Sequence, residues 1–154
     1  MKHLILGAAA LAAIAATAAA TSRAPAPADT IHMRQANYKQ MGAAMKGINE
    51  QLRGSHPSVA RIRRHSALIA RHAPQLLRWF PPGSGAEAGV RTRARPEIWT
   101  ARAGFTRAGA GLVVAARDMD VAARRGDFAA IRPAAAALAH ACSACHDDYR
   151  APEQ

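Results

Sequence analysis

The chain has 154 residues, half of them hydrophobic and 5% aromatic, and its 21 Lys+Arg against 10 Asp+Glu give a formal charge of +11. That length suits one domain with a real core, the Ala, Leu, Ile and Val content excludes a disordered tail, and two cysteines exclude a disulfide-rich scaffold. No internal repeat of about 20–50 residues and no alternating β-branched runs stand out, which argues against solenoids, propellers and sheets. What remains is a small, Ala-rich, helical and strongly basic protein.

Residues 1–20 read as a secretory signal peptide. Lys2 and His3 make a short polar start, Leu4 to Ala20 run without a charge, and Ala18-Ala19-Ala20 offers a small-residue cleavage pattern. A cut after Ala28 is the second option, because Ala26 and Ala28 have the same spacing. The rival reading is an uncleaved anchor, but so short an Ala-rich run is marginal for a bilayer core of about 30 Å. Residues 21–30, with Pro25 and Pro27, read as a flexible lead-in.

From residue 31 to 150 the sequence predicts an all-α antiparallel four-helix bundle. In the first stretch Ile31, Tyr38, Met45 and Leu52 recur every seven residues, joined by Met41 and Ile48. Gly54-Ser55-His56-Pro57 marks a turn. The second stretch, Ser58 to about Trp79, keeps Ile62, Ile69 and Leu76 in register beside a weaker row of Val59, Ser66 and Ala73; Pro74 should kink or shorten it. Phe80-Pro81-Pro82-Gly83-Ser84-Gly85 opens a long loop. Pro96-Glu97 suits the first turn of a third helix, where Ile98, Phe105, Leu112 and Met119 are accompanied by Ala101, Ala108, Ala115 and Ala122. After Gly126, Asp127 is a natural N-cap for the fourth, which places Phe128, Ala135, Cys142 and Tyr149 in one row and Ile131, Leu138 and Cys145 in the other. Pro133 predicts a local bend there. Paired rows at a seven-residue repeat are the seam of helices packed at about 20°.

Cys142-Ser143-Ala144-Cys145-His146 carries the chemistry. C-x-x-C-H is the spacing of a c-type haem attachment site. Residues three and four apart share a helical face, so both thiols and the imidazole point the same way. Two thiols so placed can add across the vinyl groups of one porphyrin, with His146 as proximal iron ligand. Export, the absence of other cysteines and the place of both thiols on the seam all agree. A redox dithiol wants a helix N-terminus in a βαβ unit, a zinc site wants four ligands, and an i,i+3 disulfide is awkward in a helix. One covalent haem c per chain is the expected cofactor.

The chain resembles the cytochromes c′, the class II c-type cytochromes. The resemblance rests on Arg34-Gln35-Ala36-Asn37-Tyr38 with Met41-Gly42, on Phe80-Pro81-Pro82-Gly83-Ser84-Gly85, and on Thr92-Arg93-Ala94-Arg95-Pro96-Glu97-Ile98-Trp99. It continues through Gly126-Asp127 and the C-terminal Cys142 to Arg150. The resemblance implies a bundle with haem near the C-terminus, an iron often five-coordinate and high-spin, and a non-ligating side chain over the distal face, here Tyr38. It further places Arg150 on the proximal side, Thr92 and Glu97 on a loop near the haem, and a homodimer through the first two helices. Some relatives are six-coordinate through a Met, here Met33. At about 100° per residue, however, Arg34 lies roughly 40° from Tyr38 on the helix and Met33 roughly 140° away. Met41 and Met45 lie on the stripe and read as core filling. Arg34 and Gln35 flank the expected haem edge, where a propionate is the natural partner of a buried Arg. His65 and His72 share a face but read as ordinary residues, and His140 points away from His146.

Two functions follow. The first is a periplasmic haem protein that binds small gases, nitric oxide and carbon monoxide, and cycles between ferrous and ferric iron. The second is a low-spin electron carrier with Met33 as sixth ligand. A helical protein with an idle haem motif is a third, weaker class. No general acid–base pair is visible, so an enzyme is not expected. The positive charge suits acidic redox partners or anionic membrane surfaces, Arg61, Arg63 and Arg64 oppose a dimer by like-charge repulsion, and export argues against nucleic acid as a partner.

Overall fold

The computed structural model describes residues 25–153, so the expected signal segment and the cut after Ala20 lie outside the described residues. Helix α1 spans Pro27–Arg53, α2 Val59–His72, α3 Glu97–Thr100, α4 Arg102–Arg125 and α5 Phe128–Tyr149. The four long helices make an antiparallel bundle, with α4 packed on α5, α1 on α2 and α2 on α4, while α1 and α5 meet only sparingly. That loose seam is where the site lies. The β pairing among the described residues is a single bridge between Ala94 and Arg150.

Helix α1 starts earlier than expected. Pro27 occupies its first turn and Asp29 meets the positive dipole end, so residues 27–30 of the expected lead-in are helical. The second stretch behaves as its Pro74 predicts: α2 ends at His72 and the chain tightens into a 3₁₀ segment, Ala73–Trp79. The third departs from one continuous helix. Ala101, expected in the seam, is exposed with φ −112° and ψ 44°, and this break separates α3 from α4. Pro133 is accommodated inside α5.

Side chains close the turns. Ser58 caps α2 by accepting from the Arg61 N–H, and Asp127 caps α5 by accepting from the Ala129 N–H at 2.9 Å. Gly126, at φ 77°, ends α4 in the left-handed region that favours glycine. Arg63 then donates to the Ala123 and Arg124 carbonyls at 3.0 and 2.8 Å, satisfying the end of α4. Asp120, buried, accepts from Ser66 at 3.2 Å and pairs with Arg124 at 2.8 Å.

The predicted rows are the core. Ile98, Phe105, Leu112 and Met119 are all buried, as are Ile62, Ile69 and Leu76, and Ile131, Ala135 and Leu138. By length and composition α5 is the one helix among the described residues that could cross a membrane; here it is a bundle helix with that row turned inward.

Candidate functional site

From the C-terminus of α5 along its seam with α1, the helices stand apart around a cavity of about 810 Å³, within the roughly 300–1,000 Å³ of small-molecule and cofactor sites. Its floor is apolar: Met41 of α1, Leu76, Phe80, Ile98, Phe105 and Leu112. Cys142, Cys145 and His146 line one wall from α5, and Tyr38 faces in from α1. Both cysteines are free thiols and half-buried. Burial pushes both thiols up, Cys145 to about 11 with help from Cys142 and Asp148, so they are protonated at neutral pH. The His146 imidazole is held below the usual histidine range by burial first and by the Arg150 and Arg93 cations, against the opposing pull of Asp147. It is therefore neutral at pH 7, with a lone pair free to ligate.

Tyr38 stands edge-on to Trp79, with ring centroids 5.4 Å apart and planes at 89°, and lies 6.3 Å from Phe80. Phe80 in turn stacks edge-on to Phe105 at 5.1 Å, and Phe105 to Tyr149 at 5.2 Å. This aromatic chain joins the α1 wall to the α5 wall. Burial raises the Tyr38 phenol well above the ordinary tyrosine range, and the fields of Cys145 and Cys142 reinforce it against Arg34. Tyr38 is thus a neutral phenol facing the two thiols.

Arg34 is 2% exposed. Its guanidinium donates to Thr92 Oγ1 at 2.7 Å, Ser84 Oγ at 3.1 Å and the Trp79 carbonyl at 3.5 Å, and lies 4.6 Å over the Phe80 ring. Among the described residues it makes no ion pair, and burial lowers its affinity for its proton. Its five N–H donors are not exhausted by three neutral acceptors. Gln35 reaches the Arg91 carbonyl at 2.9 Å.

Residues 91–95 form a strap across the cavity. Arg34 and Gln35 tie it to α1. At the far side Arg95 N–H donates to the Tyr149 carbonyl at 3.1 Å and Ala151 N–H to the Arg93 carbonyl at 2.8 Å, so the strap is stitched to the residues that follow the cysteine pair. Thr92 accordingly lines the cavity and Arg150 stands at its edge. Glu97 does not line it: it sits in the first turn of α3 with its carboxylate 3.5 Å from Arg95, because the chain turns away after Ala94.

Met33 is likewise outside. It is 41% exposed, and its sulfur accepts from Asn37 at 3.0 Å, on the face of α1 that the helical angle assigned it. Met41 and Met45 do line the cavity. His72 packs its ring 5.9 Å from Trp79, His65 lies against Gly47, and His140 lies on the outer face of α4 and α5, so none of the three reaches the site. Sequence reasoning missed Lys39, Lys46 and Arg53, which line the cavity from α1. Their seven-residue spacing puts them on one face, but nothing local in the sequence marks that face as the cavity edge.

Two thiols one helical turn apart beside a neutral imidazole, on the wall of an aromatic-lined cavity in a helical bundle, define a c-type haem protein of the bundle class, and the donor set fits that group. The profile of the cytochrome c′ family matches residues 29–150, and the chain belongs to that family. It is similar to the crystal structure of cytochrome c′ from Thermochromatium tepidum, at 30% identity and a TM-score of 0.77 over 82% of this chain and 97% of that one. Cytochrome c′ from Rubrivivax gelatinosus is 29% identical with a TM-score of 0.75, over 80% and 96%. A nitric oxide complex of a variant of the Alcaligenes xylosoxidans protein is 25% identical with a TM-score of 0.75, over 85% and 100%. No curated protein matches the chain by sequence.

Proposed function

We propose that this chain is a periplasmic cytochrome c′ that carries one haem c and binds nitric oxide or carbon monoxide on a distal face guarded by Tyr38. When bound, the haem would supply a one-electron redox couple and a site for a diatomic gas. Cys142 and Cys145 would hold it covalently and His146 would ligate the iron. The observation that carries this reading is that Tyr38, a neutral phenol, faces the two thiols across the cavity, with Met41 and Met45 further along the same wall and Met33 exposed outside it. A neutral phenol is a poor iron ligand, and the aromatic neighbours of Tyr38 hold its ring in place.

Arg34 and Gln35 would meet the carboxylate edge of the haem, which gives the buried guanidinium the anionic partner that its neutral acceptors do not supply. Arg150 and Arg93 add positive charge on the proximal side, where His146 already feels it. Among the described residues no Asp or Glu side chain lines the cavity, and the role proposed is binding and electron transfer.

A similar solved structure is a cytochrome c′ with ligand-controlled dimer dissociation. For this chain a homodimer through α1 and α2 is part of the proposal. Of the three arginines that oppose it, Arg63 is engaged at the end of α4, which leaves Arg61 and Arg64 on the outer face. The test is a titration of the ferrous protein with nitric oxide and with carbon monoxide, followed by absorbance. Saturation at one equivalent per chain supports the reading, and an unchanged spectrum overturns it.

A further inference from the structure

Among the described residues the cavity wall contains cations but no Asp or Glu side chain. On α1, Lys39, Lys46 and Arg53 stand seven apart and therefore on one face, along the open edge that α1 shows to α5. Lys46 is 3.7 Å from Glu50, an exposed pair of little energetic weight. Lys39 and Arg53 make no ion pair among the described residues. Across the mouth stand Arg93 and Arg150, of which Arg93 is partly balanced by Glu153 at 3.6 Å.

From this we infer that the α1 edge of the cavity is a docking face for an acidic electron-transfer protein, with Lys39 and Arg53 as its principal contacts. The inference rests on the haem-protein reading above, because only a redox centre in that cavity makes close approach there useful. Charge complementarity identifies the occupant. A membrane-surface helix needs large apolar anchors beside its cations, and between Lys39, Lys46 and Arg53 the same stripe offers Gly42 and Asn49. An acidic protein surface needs none.

General steering by the net charge makes a different prediction from a local face, so equal charge changes at two places separate them. The haem-loaded chain would be titrated with oxidised plant-type ferredoxin, an acidic redox protein, by calorimetry at about 10 mM ionic strength, where screening extends to about 30 Å. The variant K39E/R53E is set beside R117E/R125E, which makes the same charge change at exposed positions of α4. The expected result is an affinity loss of about tenfold or more for the α1 variant and about twofold or less for the α4 variant. Equal losses, no binding by the parent, or tight binding to phosphatidylserine vesicles with ferredoxin affinity indifferent to K39E/R53E would each overturn the docking face. A haem spectrum taken beforehand keeps the two readings apart: its absence sinks the haem protein, whereas its presence with equal losses sinks only the docking face.

Discussion

The two ends of this bundle are written in the same seven-residue pattern and come out differently. At the closed end Ile48, Ile62, Met119, Ala123 and Ile131 are fully buried against one another, and the turns there are capped by Ser58, Asp127 and Arg63. At the open end the same rows continue as Tyr38, Phe105, Cys142 and Tyr149, but α1 and α5 stand apart around a cavity. Aliphatic side chains interdigitate and let the helices close on one another, whereas large rings braced edge-to-edge hold them off. Six of the seven aromatic residues of the chain belong to the one cluster at the open end, and only Phe128 lies outside it. A heptad row therefore says which side faces inward, not whether protein or cofactor fills the space.

Separate variants should break each end alone. The largest effect is expected from C142S/C145S, which leaves no thiol for covalent attachment; haem should be extracted completely by denaturing solvent, where the parent retains it, while the helical circular dichroism of the undenatured variant survives. Ile131→Ala does the reverse. It opens a cavity in the closed core at a cost of about 2–5 kcal/mol, read by denaturant unfolding, with the haem spectrum unchanged. Arg34→Met removes the guanidinium that ties Thr92 and Ser84 to α1, costing about 1–3 kcal/mol, and should raise proteolytic cleavage within residues 91–95 before the rest of the chain unfolds. Tyr38→Ala removes the distal ring, and carbon monoxide association should speed up by about tenfold, or about 1.4 kcal/mol of barrier, in flash photolysis.

The smallest effect is a pH dependence. The Tyr38 phenol titrates above its unfolded value near 10. The folded chain therefore holds that proton where the unfolded chain releases it, and the stability this contributes is full below pH 10 and lost as pH rises through the folded value. Alkaline unfolding curves of parent and Tyr38→Phe should coincide below pH 10 and diverge above it. Curves that stay parallel throughout would mean that the phenol is not desolvated.

Much of this was legible in order along the chain. The Ile98, Phe105, Leu112, Met119 row needs only helical spacing, Asp127 is a cap by its chemistry, and the C-x-x-C-H motif states its ligands by type and interval. The strap was not legible, because pairing residues 93–95 with 149–151 joins segments more than fifty positions apart with no local pattern to announce it. Glu97 was misplaced for the same reason: Thr92 and Glu97 lie in one motif, yet the chain turns between them. The break at Ala101 carries neither Gly nor Pro, and the cations at Lys39 and Arg53 read as ordinary solvated charge until the cavity beside them is seen.

The central claim is that Tyr38 covers, and does not coordinate, the iron that His146 would hold. An electron paramagnetic resonance spectrum of the oxidised, haem-loaded protein near neutral pH tests it directly. A high-spin ferric signal, unchanged in Met33→Leu, is the predicted result. A low-spin signal that turns high-spin in Met33→Leu would contradict it and make Met33 the sixth ligand after all.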